Sequence, residues 1–559
     1  IDRPWLKYYS NEALEATIPN QSIYEYIVEC NKNNLNDVAI NYMGKKITFK
    51  LLFELIEKTA QAFVALGVKQ GDIIPLALPN IPANIFCMYA LNRIGAVGDF
   101  IDLRSKGQKL IQLINDTSAP IAVISDVFVE NAEEIQNEVL VKKWIIASPF
   151  DYVPGVGNLL KLKGERKKKP HNYLCWNNFL KIGKGTLVSG GNSDVDSPAC
   201  IFHTSGTTGT TKGVLMTNGN MNAMTIHYKH GNIACDRGDT FLNQIPPFLA
   251  YNEIFSVHMP FALQMSIILR PDYNPDKFLE LIHKFSPSHV TSGPADLRSF
   301  YNDKLLGKVD FSGLKTIACG SDKLDYEKKL NLNALIKSRN GKYGVMEGYG
   351  MTEAGSAIVT CWPNADRKGS VGIPHFMNVV SIFSTEQHDV ELKVGETGEI
   401  CVCGPTVMKG YYNRQEETLL VLRRHSNGKV WLHTGDLGHM DSDGFVYIDG
   451  RIKRMIIRND GIKVSPFEIE QTIKRIRGVL DVCVVGTRDI QYDSGFLPVA
   501  FVVIDDEAQR NLVLNDIKAL CESELAENYR PSEYKIVQEL PLTPNGKVDY
   551  RKLEEIALD

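Results

Sequence analysis

Through roughly the first 370 residues, short apolar runs alternate with stretches of helical periodicity, a pattern that restricts a chain to layered α/β sheets with parallel strands. Ile73 to Leu78, Ile121 to Ile124, Trp144 to Ala147, Ala199 to Phe202 and Val290 to Thr291 read as buried strands. Leu52, Phe53, Ile56, Phe63 and Leu66 recur at helical spacing over Thr48 to Leu66, and a second helical segment spans Ala83 to Ala96. After about Ser370 the texture changes to short strands with turns, in Gly398 to Cys403 and in Trp431 to Ile448 around the Asp443-Gly444 hairpin signal. Beyond Arg451 a small α+β pattern follows, in which Ser465-Pro466-Phe467-Glu468 supplies an N-cap, a first-turn proline and a capping-box glutamate. The expected fold is α/β: a large N-terminal domain over residues 1–450, built of layered α/β subdomains with a β-rich subdomain over about 370–450, then a small mobile α+β domain over 451–559. The boundary is expected near Gly450 to Lys453.

A length of 559 residues agrees with several domains, and 44% hydrophobic with 23% charged residues provides ample material for buried cores. With 62 basic and 66 acidic side chains and a formal charge of −4, no nucleic acid is expected as a partner. An anionic ligand must be met locally. Eleven cysteines are scattered along the chain, and Cys401 and Cys403 sit on an expected strand rather than in a zinc knuckle, so reduced thiols in a cytoplasmic compartment are expected. The most apolar stretch, Phe255 to Leu269, is interrupted by His258 and Gln264 and falls short of the ~20 residues of a membrane-spanning helix. It reads as core, and no transmembrane segment is expected. The basic run Lys161 to Lys169 reads as a solvated loop, with peripheral contact to a membrane surface as the second reading.

The strongest chemical signal is Thr204-Ser205-Gly206-Thr207-Thr208-Gly209-Thr210-Thr211-Lys212-Gly213, which follows a strand-like run and is expected to precede a helix. Glycines let a backbone fold tightly around an anion, hydroxyls and amide groups donate to phosphate oxygens, and Lys212 adds a compact positive charge. The segment is suited to holding a polyphosphate. A Walker loop needs glycine before the lysine and Ser or Thr after it, whereas Thr211 precedes Lys212 and Gly213 follows it. The ordinary kinase or GTPase reading fails at these residues.

This loop resembles that of the adenylate-forming superfamily of acyl-CoA synthetases, nonribosomal-peptide adenylation domains and firefly luciferase, and four further motifs occur in that superfamily's order, extending the likeness almost to the C-terminus. The resemblance implies the following roles. Gly320-Ser321-Asp322 lines the adenine pocket. In Gly348-Tyr349-Gly350-Met351-Thr352-Glu353, Tyr349 stacks on adenine, Gly350 belongs to the same nucleotide site, Thr352 donates to the α-phosphate and Glu353 holds Mg²⁺. In Trp431-Leu432-His433-Thr434-Gly435-Asp436, Asp436 accepts both ribose hydroxyls, and Arg451 contacts ribose and phosphate oxygens. Lys547, in Pro544-Asn545-Gly546-Lys547, is the catalytic lysine, Lys453 the hinge, and Gly461 the glycine that lets the CoA thiol arm pass.

By the same resemblance the ligands are ATP, Mg²⁺, a carboxylic acid and CoA, with a separate carrier protein as the alternative acceptor. Gln244 to Phe255 borders the acid pocket. Leu249 stands where many relatives carry histidine, and Phe248 stands where peptide-synthetase domains carry the aspartate that pairs an amino group, which disfavours an α-amino acid. Phe248, Leu249, Phe255, Met259 and Phe261 either line a lipophilic tunnel for a medium- to long-chain fatty acid or belong to the core.

Overall fold

A computed structural model describes residues 2–153, 168–191, 194–205, 211–301, 303–320, 324–489, 495–506, 509–543 and 547–558. Ile1–Val380, Val402–Leu432 and Asp443–Phe445 form one unit, and Ser381–Cys401, His433–Ser442 and Val446–Asp559 form a second. The architecture is the expected mixed α/β one, a large N-terminal body and a small C-terminal one.

Among the described residues, the first unit holds two large sheets. In one, Val345–Tyr349, Thr316–Cys319, His289–Ser292, Thr240–Asn243, Ser266–Leu269 and Val38–Tyr42 lie side by side as parallel neighbours. In the other, Pro198–Ser205, Val97–Phe100, Ile73–Ala77, Ile121–Ser125 and Lys143–Ala147 are parallel neighbours. Their strands are buried almost throughout, as Ile121–Ser125 is, because helices cover the faces of parallel sheets. Helix Phe49–Ala65 starts where Leu51 N donates to Thr48 Oγ1 at 3.3 Å, and it buries Leu52, Ile56 and Phe63 at the expected spacing. The second expected helix is shorter, Pro82–Arg93: Gly95 takes φ +77° and turns the chain into strand Val97–Phe100. Every residue from Pro82 to Asn92 is buried, so this helix lies inside the core.

The apolar stretch from Phe255 is core. It continues a π-helix, Tyr251–His258, into Met259–Ala262 and then strand Ser266–Leu269. Among the described residues no helix is long and apolar enough to cross a membrane. The Asp443-Gly444 turn forms as expected, with Gly444 at φ +92°, where an added Cβ would lie 2.8 Å from Trp5 N.

In the second unit, Val446–Arg451 runs antiparallel to Asp436–Met440. Val479–Arg488, Phe496–Ile504 and Glu533–Ile536 form a three-stranded sheet, antiparallel then parallel. Ile469, Ile473, Val513 and Ile517, from helices Pro466–Ile473 and Arg510–Glu524, pack with Val482, Val484 and Val502. Leu553 and Ala557 of helix Tyr550–Leu558 pack with Val485, Val499 and Phe501, residues of the opposite parity and hence the opposite face. Helix Pro466–Ile473 starts at the expected proline, but the capping box does not close. Ser465 makes no side-chain cap, and its hydroxyl donates instead to Asp449 O at 3.4 Å.

Candidate active site

The glycine- and threonine-rich segment joins two strands, not a strand and a helix. Pro198–Ser205 pairs antiparallel with Thr211–Thr217, Thr204 opposite Lys212 and Ser205 opposite Thr211. The helix begins only at Asn218, where Thr217 and Asn220 form a capping box. The reason is local: Val214 and Met216 alternate inward as a strand requires, and after Lys212 the next side chain able to cap a helix is Thr217, whose hydroxyl accepts from Asn220 N. Gly206, Thr207, Thr208, Gly209 and Thr210 lie outside the described residues, as do Ser321 and Asp322 of the second motif.

Strand Gly410–Tyr411 pairs with the hairpin's second strand, Tyr411 opposite Val214. This sets Lys212 Nζ 4.8 Å above the centroid of the Tyr411 ring. The Tyr411 hydroxyl in turn donates to Glu353 Oε1 at 2.8 Å. Burial, with the Glu353 carboxylate beside it, pushes the Tyr411 phenol well above its ordinary value, so it stays protonated as a donor. The loop lysine and the expected metal ligand thus meet on one aromatic residue. Sequence alone does not single out Tyr411; its Gly-Tyr dipeptide carries no local signal, and only the pairing of distant strands gives it a role.

Glu353 sits in the short turn Thr352–Ala354, which ends at Gly355 with φ +69°. The Glu353 carbonyl accepts from Met408 N at 2.8 Å. Tyr349 ends strand Val345–Tyr349, opposite Val359. The turn after it needs glycine, because a Cβ on Gly350 would lie 2.0 Å from Ser356 O and 2.6 Å from Ala357 Cα. Gly320 follows strand Thr316–Cys319 and donates through its N–H to Ser292 O at 3.1 Å, and a Cβ there would meet the Tyr251 ring at 3.7 Å, an ordinary contact.

Next to Thr204 in the chain, His203 Nε2 and Asp99 Oδ1 are 2.5 Å apart, with the Asp99 side chain buried and that of His203 11% exposed. Burial alone would lower the His203 pKa, but the Asp99 carboxylate outweighs it and the imidazole is raised. The pair borders a hollow of about 10 Å³ shared with Thr211, Gly213 and Arg414, room for about one water. It is a second feature that no sequence motif signals.

In the region expected to border the acid, Phe261 packs against Phe49 and Tyr89 at 5.8 and 6.3 Å, and Met259 is 1% exposed, so both are core. Phe248 and Leu249 are half-buried, with the Arg104 guanidinium 5.0 Å over the Phe248 ring. Behind them, Glu253 is fully buried and accepts at Oε1 from Asn84 at 3.0 Å and from Asn252 at 2.8 Å. Burial pushes its carboxyl up to about 8, so it is a neutral acid at pH 7.

In the second unit, Asp436 and Arg451 face each other across antiparallel strands, and Arg451 Nε donates to Asp436 Oδ1 at 2.8 Å. The Asp436 N–H donates to Thr434 Oγ1 at 3.1 Å, and Thr434 donates to Ile400 O at 2.7 Å. Asp436 is therefore a buried, oriented acceptor and Arg451 an exposed cation beside it. Lys453 lies exposed in the turn Ile452–Arg454 that follows. Gly461 takes φ +80° with open space where a Cβ would sit. Lys547 is exposed, its carbonyl accepting from Thr543 N at 2.7 Å and its N–H donating to Thr543 Oγ1 at 3.3 Å. Pro544, Asn545 and Gly546 lie outside the described residues.

Comparison with known proteins bears on the family and the fold. The family model described as AMP-binding enzyme matches residues 28–412, and that described as AMP-binding enzyme C-terminal domain matches residues 468–547. A long-chain-fatty-acid–CoA ligase of Bacillus subtilis (strain 168) is 29% identical over 564 aligned positions, covering 99% of this chain and 98% of the relative. An anthranilate CoA ligase solved in complex with anthranoyl-AMP superposes with a TM-score of 0.80 at 20% identity, covering 98% of this chain and 99% of that one. ATP-bound MatB from Rhodopseudomonas palustris superposes with a TM-score of 0.78 at 23% identity, covering 97% and 99%. At these identities the two structures establish the fold.

Proposed function

The chain belongs to the family of AMP-binding enzymes, and on that premise we propose that it activates a carboxylic acid with ATP as an acyl-AMP and transfers the acyl group to CoA. The observation that carries this reading is the contact of Lys212 and Glu353 on Tyr411, a phosphate-binding cation and a hard carboxylate held on one ring. A polyphosphate needs both. We assign the acid to the medium- to long-chain fatty acids, a reading supported by the full-length likeness to the Bacillus ligase and by a Phe248 and Leu249 border without the carboxylate an amino acid would require.

A carboxylate is a poor acyl donor because its leaving group would be oxide. In the proposed first step the substrate oxygen attacks the α-phosphorus of ATP in line and pyrophosphate leaves. Lys212 and Thr352 would neutralise and hydrogen-bond the phosphoryl oxygens, and Lys547 would supply the further positive charge that the transition state requires. Glu353 fits a hard cation such as Mg²⁺, which when bound supplies charge neutralisation on the phosphates. Asp436, with its two acceptor oxygens, would take the ribose hydroxyls, with Arg451 beside it.

In the second step the CoA thiolate attacks the acyl carbonyl of the mixed anhydride and AMP leaves. Withdrawal of Lys547 and presentation of Gly461 would follow rotation at Lys453, with 1–450 and 451–559 as the moving bodies. The exposed turn at Lys453 and the open space at Gly461 support these roles. None of the eleven cysteines is in a disulfide, which supports assignment to the reducing cytoplasm.

The test is ATP–pyrophosphate exchange over a panel of acids, followed by addition of CoA or of a purified carrier protein to the best acid. Exchange driven by fatty acids and AMP release that requires CoA alone are expected. Exchange with aryl acids only would overturn the substrate assignment, and turnover with a carrier protein but not CoA would overturn the acceptor.

A further inference from the structure

His433 stands three residues before Asp436, and its imidazole faces a cluster that the adenylation reading does not use. Strand Gly398–Cys403 puts Glu399 and Cys401 two residues apart, hence on one face. Strand Val430–Met440 brings His433 against them, and the segment after strand Val379–Phe383 adds His388. His433 Nδ1 lies 2.7 Å from Glu399 Oε2 and 3.4 Å from Cys401 Sγ, and His388 Nδ1 lies 4.0 Å from Glu399 Oε2. One donor atom from each of His388, Glu399 and His433 falls within 4.8 Å of the others.

We propose that His388, Glu399 and His433 bind one divalent transition-metal ion of the zinc class, and that Cys401, whose Sγ lies 3.4 Å from His433 Nδ1 but outside the 4.8 Å cluster of the other three, is drawn in as fourth donor. Bonds of 2.0–2.1 Å in a tetrahedron put ligand nitrogens and oxygens roughly 3.3 Å apart. The distances from Glu399 Oε2 to His433 and to His388 are both within about 0.7 Å of that spacing, and sulfur bonds are longer. Two imidazoles, a carboxylate and a thiol are a donor set for Zn²⁺ or Co²⁺, not for Mg²⁺ or Ca²⁺, which take oxygen. Gly435 N donates to Glu399 Oε1 at 2.9 Å and fixes the carboxylate with Oε2 toward His433, the kind of outer bond that orients a metal ligand.

His433 and Glu399 are 3% and 5% exposed, whereas His388 is 46% exposed. Two ligands are thus preset in the interior, and the third closes over the ion from solvent. Binding through Nδ1 puts the His433 proton on Nε2 and replaces the contact to Glu399 Oε2 with two metal bonds, and the Cys401 thiol proton is released to solvent. The ion is separate from the Mg²⁺ expected at Glu353 and takes no part in the reaction.

The test uses the full chain, stripped with a chelator and titrated with Co²⁺. One equivalent is expected to bind with the intense visible bands of four-coordinate cobalt and a sulfur-to-cobalt charge-transfer band that Cys401→Ser removes. His388→Ala, an exposed position whose loss leaves the metal-free melting temperature unchanged, is expected to weaken Co²⁺ binding about 10–100-fold. The weak bands of six-coordinate cobalt, absence of the sulfur band in the unsubstituted protein, or equal binding by His388→Ala would each overturn the site. None of these readouts depends on acyl-CoA synthesis, so the metal site and the proposed activity fail separately.

Discussion

The Tyr411 hydroxyl donates to Glu353 Oε1 at 2.8 Å while the face of the same ring carries Lys212 Nζ at 4.8 Å. One residue therefore orients a carboxylate through its edge and a cation through its face. Tyr411→Phe separates the two, keeping the ring and removing the donor. The half-saturating Mg²⁺ concentration for ATP–pyrophosphate exchange is expected to rise about 10–100-fold, as when other ligand-orienting bonds are removed, with a smaller change in the rate at saturation. An unchanged Mg²⁺ dependence would reduce Tyr411 to a packing residue.

Lys547→Ala should abolish pyrophosphate exchange and leave the transfer of acyl from supplied acyl-AMP to CoA largely intact. The reason is chemical: only the first step builds charge on a pentavalent phosphorus, so only that step needs the extra cation. Equal loss in both half-reactions would refute the division of labour.

Lys453→Pro is expected to slow CoA-dependent turnover far more than pyrophosphate exchange, because proline fixes the backbone angle about which rotation is proposed. Pre-steady-state measurement of each half-reaction separates the two effects. CoA-dependent turnover at the original rate would remove Lys453 as the hinge.

Glu253 supplies a pH test. Its acid is raised from 4.5 to about 8 by burial, so the folded chain holds a proton that the unfolded chain has lost between those values. Its contribution to stability is complete below pH 4.5 and is lost as pH rises through 8. Glu253→Gln keeps the shape and removes the ionisation. From pH 5 to pH 9 the variant should gain stability relative to the parent, on the order of a few kcal/mol across the window, read as diverging melting temperatures. Parallel curves would mean that Glu253 does not titrate in that range.

Glycine- and hydroxyl-rich spacing, the order of the motifs and the change from apolar runs to short strands are legible in the chain because each is a local pattern. The loop pattern points to Lys212 directly, whereas Glu353, Asp436 and Arg451 are picked out through the family resemblance that the order of the motifs carries. Local reading fails where two local signals compete. The loop ending at Gly213 reads as leading straight into a helix, but the alternation of the following residues pairs Thr211–Thr217 with Pro198–Ser205, and the helix starts only at Asn218. Ser465 has the sequence of a capping residue, yet Asp449 O, sixteen positions earlier, takes its hydroxyl.

The sequence by itself determined the chemical inventory: a hydroxyl- and glycine-rich loop ending in a lysine, and the carboxylates and cations to which the family resemblance assigns phosphate, metal and ribose. Tertiary structure alone decided their partners. That Asp436 meets Arg451, that Glu353 and Lys212 share Tyr411, and that His388 comes to His433 all depend on strand register and on segments distant in the chain. Local propensity carries no information about such pairings, because their energies are realised only once the sheets are assembled.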